Sequence, residues 1–159
     1  MDHAYLKIDT IEGESTVEGY EKQIEIYSFS YGCSQPTSPV RSNDGPTTGR
    51  AMHNMMHFSK RTDLATADLC KNVWSGAVLK DAVLTVCRMD NNKSIAYLVI
   101  TLENVVIADY NISGGGGIPS ESFSLNYAII NIQYIQQQKE GGESGNKAAK
   151  HDLKTNKVE

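Results

Sequence analysis

The stretch SFSYGCSQPTS, Ser28 to Ser38, decides how this chain is read, because it joins a strand that is apolar on both faces to a long polar connection. Glu25, Tyr27, Phe29 and Tyr31 point to one side of a pleated strand, and Ile24, Ile26, Ser28 and Ser30 to the other. Neither side is purely solvent material, so the strand needs partners on two sides. It stops at Gly32 to Pro36 and enters QPTSPVRSNDGPTTG, Gln35 to Gly49. Hairpin loops usually run about 2 to 5 residues, so a connection this long is expected to be a working surface or disordered.

Outward from that stretch the chain reads as strands. Ala4, Leu6 and Ile8 alternate with Tyr5, Lys7 and Asp9. Tyr20 to Ser34 is the second expected strand and Arg50 to Arg61 the third. One short helix follows, with Thr66 as its expected N-cap, Leu69/Val73 and Cys70/Trp74 at i, i+4 spacing, and Gly76 as its stop. Ala82 to Arg88 and Ser94 to Asp109 are expected strands meeting across the Asn-rich turn MDNNK. GGGGIP, Gly114 to Pro119, separates these from a last strand over Glu121 to Gln136. From Lys139 onward the apolar pattern is lost, and a mobile polar tail is expected over 139–159 after a domain over 1–138. Strand spacing and Gly/Pro turns assign a mainly β, antiparallel barrel or sandwich with one short α-helix.

Composition excludes several classes. At 159 residues the chain supports one domain with a real core. A formal net charge of -4 leaves no global basic footprint, which disfavours nucleic acid as a partner. Cys33, Cys70 and Cys87 form an odd set among apolar neighbours and read as reduced, buried thiols. The N-terminus enters alternating strand pattern directly, with no basic segment followed by an apolar one, so no cleaved signal is expected. No stretch reaches the roughly 20 apolar residues of a membrane helix.

Two-sided strands are the main positive signal. Leu98, Ile100, Leu102 and Val106 share one parity, and Ile95, Tyr97, Val99, Val105 and Ile107 the other. In the last strand Phe123, Leu125, Tyr127 and Ile129 give way to Ile130, Ile132 and Tyr134, through a bulge or through burial on both sides. Outward Val99, Val105 and Ile107 would each contribute about 1.5 to 3 kcal/mol to association, partly offsetting the roughly 4 to 15 kcal/mol cost of immobilising a partner. Cover by the helix and the long loop within one chain would also explain the pattern.

Signs of bond chemistry are sparse. His53 and His57 in HNMMH lack the glutamate of a zinc helix, since Asn54 stands in its place. Gly114 to Gly117 has neither the spacing nor the following Lys of a phosphate loop. No GxSxG is present, and the scattered carboxylates read as surface charge. No catalytic, cofactor-binding or metal-binding residues are therefore expected.

Five motifs in order carry a family resemblance: YLKIDTIEGEST (Tyr5 to Thr16), SFSYGCSQPTS (Ser28 to Ser38), HFSKRTDLATADL (His57 to Leu69), YLVITLENVVI (Tyr97 to Ile107) and ESFSLNYAIINIQY (Glu121 to Tyr134). Over about Tyr5 to Gln136 the chain closely resembles the Hcp (haemolysin-coregulated protein) family of inner-tube subunits of the type VI secretion system. The resemblance implies a small antiparallel β-barrel with one helix and an extended loop, assembling as a homohexameric ring. It also implies that rings stack into a tube, propelled by a contractile sheath, tipped by a valine-glycine-repeat spike protein and able to hold small effectors in the lumen. Such a protein stays cytoplasmic until it is secreted without a cleaved signal, and it needs no cofactor, nucleic acid or membrane insertion. On this reading Gln35, Pro36, Thr37, Ser38, Arg41, Asp44 and Thr47 belong to the ring-stacking loop, and Ser28 and Ser30 to the lumen wall or to a crowded core position. Tyr97, Val99, Val105 and Ile107 are the expected subunit contacts. The competing reading is a monomeric β-barrel that binds a small ligand, or a small hydrolase, and it requires an enclosed interior with convergent polar groups.

Overall fold

The computed structural model describes residues 3–37, 49–137 and 143–159. In chain order the strands are β1 (His3–Ile8), β2 (Ile24–Ile26), β3 (Ser28–Ser30), β4 (Cys33–Ser34), β5 (Met52–His53) and β6 (Met56–Arg61). Helix α1 (Thr66–Ser75) precedes β7 (Leu79–Asp90), β8 (Lys93–Ser113), β9 (Ser120–Asn126), β10 (Ile129–Gln137), β11 (Glu143–Asp152) and β12 (Lys157–Val158).

All these strands pair antiparallel, and the pairing closes on itself. One sheet runs β12-β11-β10-β8-β7-β1-β2, and β3, β6 and β9 join it through the far end of β8. The 98–103 part of β8 lies between β7 and β10, while its 106–113 part pairs with β9. β2 and β3 follow one another across Tyr27, whose N–H donates to Ser59 O at 2.9 Å. The circuit β1, β2/β3, β6, β9, β8, β7 and back to β1 is a small barrel. β4 and β5 form a separate two-stranded ribbon at the base of the 35–49 excursion.

Closure requires strands to bend from one sheet into the other, and three of them do so in the same way. Inward positions normally advance by two along a strand; here they advance by three at each corner. In β2/β3 the step runs from buried Ile26 to Phe29, which pairs directly with buried Phe58 on the inward side but is itself 36% exposed at this edge strand. In β8 they pass from Leu102 to Val105, with Asn104 at φ 54° between them. Between β9 and β10 they pass from Tyr127 to Ile130. Much of the two-sided apolar pattern is therefore one inward face read through a parity switch. This corrects two expected subunit contacts: Val105 and Ile107 are 0% and 2% exposed and belong to the core.

The barrel interior is filled. Leu6, Ile24, Met56, Phe58, Leu84, Leu102, Phe123 and Leu125 are each at most 2% exposed. Phe58 and Phe123 stack at 5.2 Å between ring centroids. An enclosed ligand chamber of the kind the competing reading needs is absent among the described residues.

Helix α1 lies on β8, with Leu69 buried and Val73 against the core. Its N-terminus differs from expectation: Thr66 is its first residue, and Ala65, in the N-cap position, gives no side-chain cap. Asp63 does the capping instead, accepting from Ala65 N–H at 2.9 Å and donating its own N–H to Thr66 Oγ1 at 3.2 Å. Gly76 ends the helix as expected, in the left-handed conformation at φ 66°, ψ 27°, which glycine adopts at least cost. Trp74 points outward and is 83% exposed.

A buried ionic cluster pins this helix to the barrel. Lys60 Nζ lies 2.8 Å from Asp63 Oδ1 and 3.2 Å from Glu121 Oε2, and the side chains of Lys60 and Glu121 are wholly buried. Thr66 Oγ1 donates to Glu121 Oε2 at 2.8 Å, and Tyr110 Oη donates to Glu121 Oε1. Burial alone would raise the Glu121 carboxyl, but the hydroxyls of Tyr110 and Thr66 and the Lys60 ammonium outweigh it and hold the carboxyl below its ordinary range.

Residues 143–159, expected as a mobile tail, instead form a hairpin. β11 pairs with β10 from Ile129↔Asp152 to Gln137↔Glu143, and β12 folds back on β11. Backbone pairing needs no apolar side chains, so a polar segment can extend a sheet whose edge is open. The thiols also differ from expectation: Cys87 is buried and Cys70 half-buried, but Cys33 is exposed on the ribbon.

Candidate functional site

The β3-β6-β9-β8 side of the barrel presents an outer face made almost entirely of small polar side chains. Directly paired residues share a face, so register alone defines its rows. One row is Ser28, Ser59, Ser122 and Asn111; the next is Ser30, His57, Ser124 and Asp109; a third is Arg61, Ser120 and Ser113. The intervening residues Phe58, Lys60, Glu121 and Phe123 point inward and are buried. The alternation is visible in β9 itself, SESFSLN, where serines occupy every second position.

The hydroxyls are largely organised by one another. Ser28 Oγ and Ser59 Oγ are hydrogen-bonded and Ser113 Oγ and Ser120 Oγ are 3.4 Å apart, whereas Ser124 is only 2% exposed, its Oγ covered 2.6 Å from Nδ1 of His57. Arg61 stacks its guanidinium over the Tyr27 ring at 5.1 Å. Each serine offers one donor and two acceptor sites on a short side chain. No large apolar anchor interrupts the rows, so contacts made here are many, polar and individually weak. Ser124 and His57 form a hydrogen-bonded pair, and among the described residues no carboxylate is bonded to the His57 ring as in a Ser-His-Asp arrangement.

Ser28 and Ser30 thus both lie on this face and are exposed. Sequence reading named neither Ser59, Ser122, Ser124 nor Asn111 as their neighbours; the period-2 serines of β9 were the available signal. Of the expected stacking-loop residues, Gln35, Pro36 and Thr37 are exposed and close the neck of the excursion. Gly49 N–H donates to Pro36 O at 3.2 Å and to Gln35 Oε1 at 2.8 Å. A Cβ on Gly49 would stand 2.9 Å from Pro36 Cγ, so the neck closes only with glycine there unless that ring shifts. Ser38, Arg41, Asp44 and Thr47 lie outside the described residues. Tyr97 and Val99 are half-buried on β8, and the Arg88 guanidinium covers the Tyr97 ring at 4.8 Å.

Comparison with known proteins agrees with this architecture. The model of the family described as type VI secretion system effector, Hcp, matches residues 5–134. Protein hcp1 of Pseudomonas aeruginosa is 28% identical over 143 residues, covering 89% of this chain and 88% of that protein. A structure described as that of a type six secretion system protein superposes with a TM-score of 0.92 at 25% identity, covering all of both chains. Hcp1 from Salmonella typhimurium shares the fold at a TM-score of 0.79 and 23% identity, with 99% of each chain covered. A mainly β, antiparallel barrel with one helix is thus a fold of type VI secretion proteins, and this chain belongs to the Hcp family. Among the described residues no helix is long and apolar enough to cross a membrane.

Proposed function

We propose that this chain is a non-enzymatic subunit of the inner tube of a type VI secretion system. Copies associate as homohexameric rings, and the rings stack into a tube that a contractile sheath propels and a valine-glycine-repeat spike protein tips. The protein is made in the cytoplasm and leaves the cell without a cleaved signal, and the lumen of its rings holds small effectors. The observation that carries this reading is the hydroxyl-covered face of β3, β6, β9 and β8. A channel wall must be wetted, smooth and weakly adhesive, and the rows of serine meet each demand, with Arg61 and the Tyr27 ring it covers confined to the last row. Ser28 and Ser30 then line the lumen with Ser59, Ser122 and His57. Tyr97 and Val99 face the neighbouring subunit, and the Gln35 to Gly49 excursion meets the next ring.

Mass measurement together with negative-stain microscopy tests the assembly. Rings are expected, and a strict monomer at high concentration under every salt condition would sink the proposal. Ser30→Gln, which places a longer side chain on the wall, is expected to reduce effector retention and leave rings intact. Unchanged retention would remove Ser30 from the lumen.

A further inference from the structure

The base of the excursion and the C-terminal hairpin meet through a continuous run of four side chains. Tyr31 Oη lies 2.6 Å from His53 Nδ1, His53 Nε2 lies 2.7 Å from His151 Nδ1, and His151 Nε2 lies 2.9 Å from Asn156 Oδ1. The two imidazole centroids are 4.9 Å apart, and His151 is only 8% exposed. Beside them Arg50 Nη2 donates to Leu153 O at 2.7 Å and to Lys154 O at 3.3 Å. The same two segments are therefore held together twice.

Counting protons along the run gives it a direction. Asn156 Oδ1 only accepts, so His151 carries its hydrogen on Nε2 and leaves Nδ1 bare. Nδ1 then accepts from the Nε2–H of His53, whose own bare Nδ1 accepts from the Tyr31 hydroxyl. Every nitrogen is satisfied with both rings neutral. A first added proton fits on His53 Nδ1 once the Tyr31 hydroxyl turns to accept. A second has only His151 Nδ1, where it would face the N–H of His53 across 2.7 Å between two adjacent cations.

We propose that His53 and His151 form a proton-operated latch that joins the neck of the 35–49 excursion to the β11–β12 hairpin and opens in mild acid. The surroundings give a charged pair little relief. Tyr31 and Cys33 face it from the β3–β4 stretch, and Tyr127 meets His53 edge-on at 6.4 Å from the β9–β10 corner. Burial raises the Tyr31 phenol and pushes that of Tyr127 up to about 12, so both stay neutral. Arg50 spends its guanidinium on the Leu153 and Lys154 carbonyls, and the nearby charges of the hairpin, Lys150 with Glu159 and Lys154 with Asp152, face one another. Asp152 spends its carboxylate on the N–H groups of Lys154 and Thr155, and among the described residues no carboxylate is bonded to either ring. Burial, and then the neighbouring His151, lower the His53 pKa from 6.5. A lowered histidine supports the closed state fully above about pH 6.5, and that support is lost as pH falls below it.

The test uses the full chain and does not depend on the tube reading. At about pH 7.5, long-range nitrogen NMR should find both rings as Nε2–H tautomers. Amide exchange in β11, corrected for intrinsic rate, should quicken about 10-fold or more on going to about pH 5 in the wild type. In His53→Gln, where no second imidazolium can form, the same change should be under about 2-fold. An Nδ1–H tautomer on either ring, no acceleration in the wild type, or equal acceleration in both proteins would overturn the latch. If His53→Gln does not fold, the wild-type tautomers and exchange decide it.

Discussion

Lys60 and Glu121 stand directly opposite one another on β6 and β9 with fully buried side chains, under the N-terminus of α1. Removing one partner of such a cluster strands the other charge, at a cost of about 3 to 5 kcal/mol. Lys60→Met is therefore expected to destabilise the chain by that amount in urea denaturation, with loss of α1 docking. Ile107→Ala should cost about 2 to 5 kcal/mol in the isolated chain, because Ile107 is a core residue. Had it been only a subunit contact, the isolated chain would not register the change. Surface serines behave oppositely: Ser30→Gln should leave denaturation within about 0.5 kcal/mol of wild type.

At the scale of elements, parity switching explains how much was legible. The strands up to Gln137, the short helix, its Gly76 stop and the Asn91–Asn92 turn, both residues at positive φ, were readable, because period and turn chemistry are local. The corners were not. A three-residue step between inward positions looks in sequence like a second apolar face, and only sheet pairing distinguishes the two. Asn104 makes this testable: at φ 54° it suits Asn or Gly, so Asn104→Gly should be tolerated, whereas Asn104→Val should cost about 1 to 2 kcal/mol. Thermal denaturation of the pair separates a backbone requirement from a side-chain one. The hairpin β11–β12 was illegible for the converse reason, since its bonds to β10 are backbone bonds. Truncation after Gln137 strips β10 of that partner and is expected to lower thermal stability and promote edge-to-edge association, checked by size-exclusion chromatography.

For the whole molecule, the titrations of His53 and Glu121 both contribute to acid behaviour. The lowered His53 predicts a first loss of stability as pH falls below about 6.5. The lowered Glu121 carboxyl adds stability that is present above the ordinary carboxylate range and lost as pH falls through its folded value. Denaturation midpoints followed from neutral to acid should therefore fall in two separate steps, and the first should be absent in His53→Gln.

What the sequence by itself determined is the class: alternating strands, one short helix with its glycine stop, and an order of motifs shared with a family. These depend on residue type and spacing within one element. Only the tertiary structure decided which parity of each strand faces inward, where the serines of four separate strands come together, and that His53 meets His151 across the fold. Those are properties of register between distant segments, and register is set by the joint packing of all strands around one core.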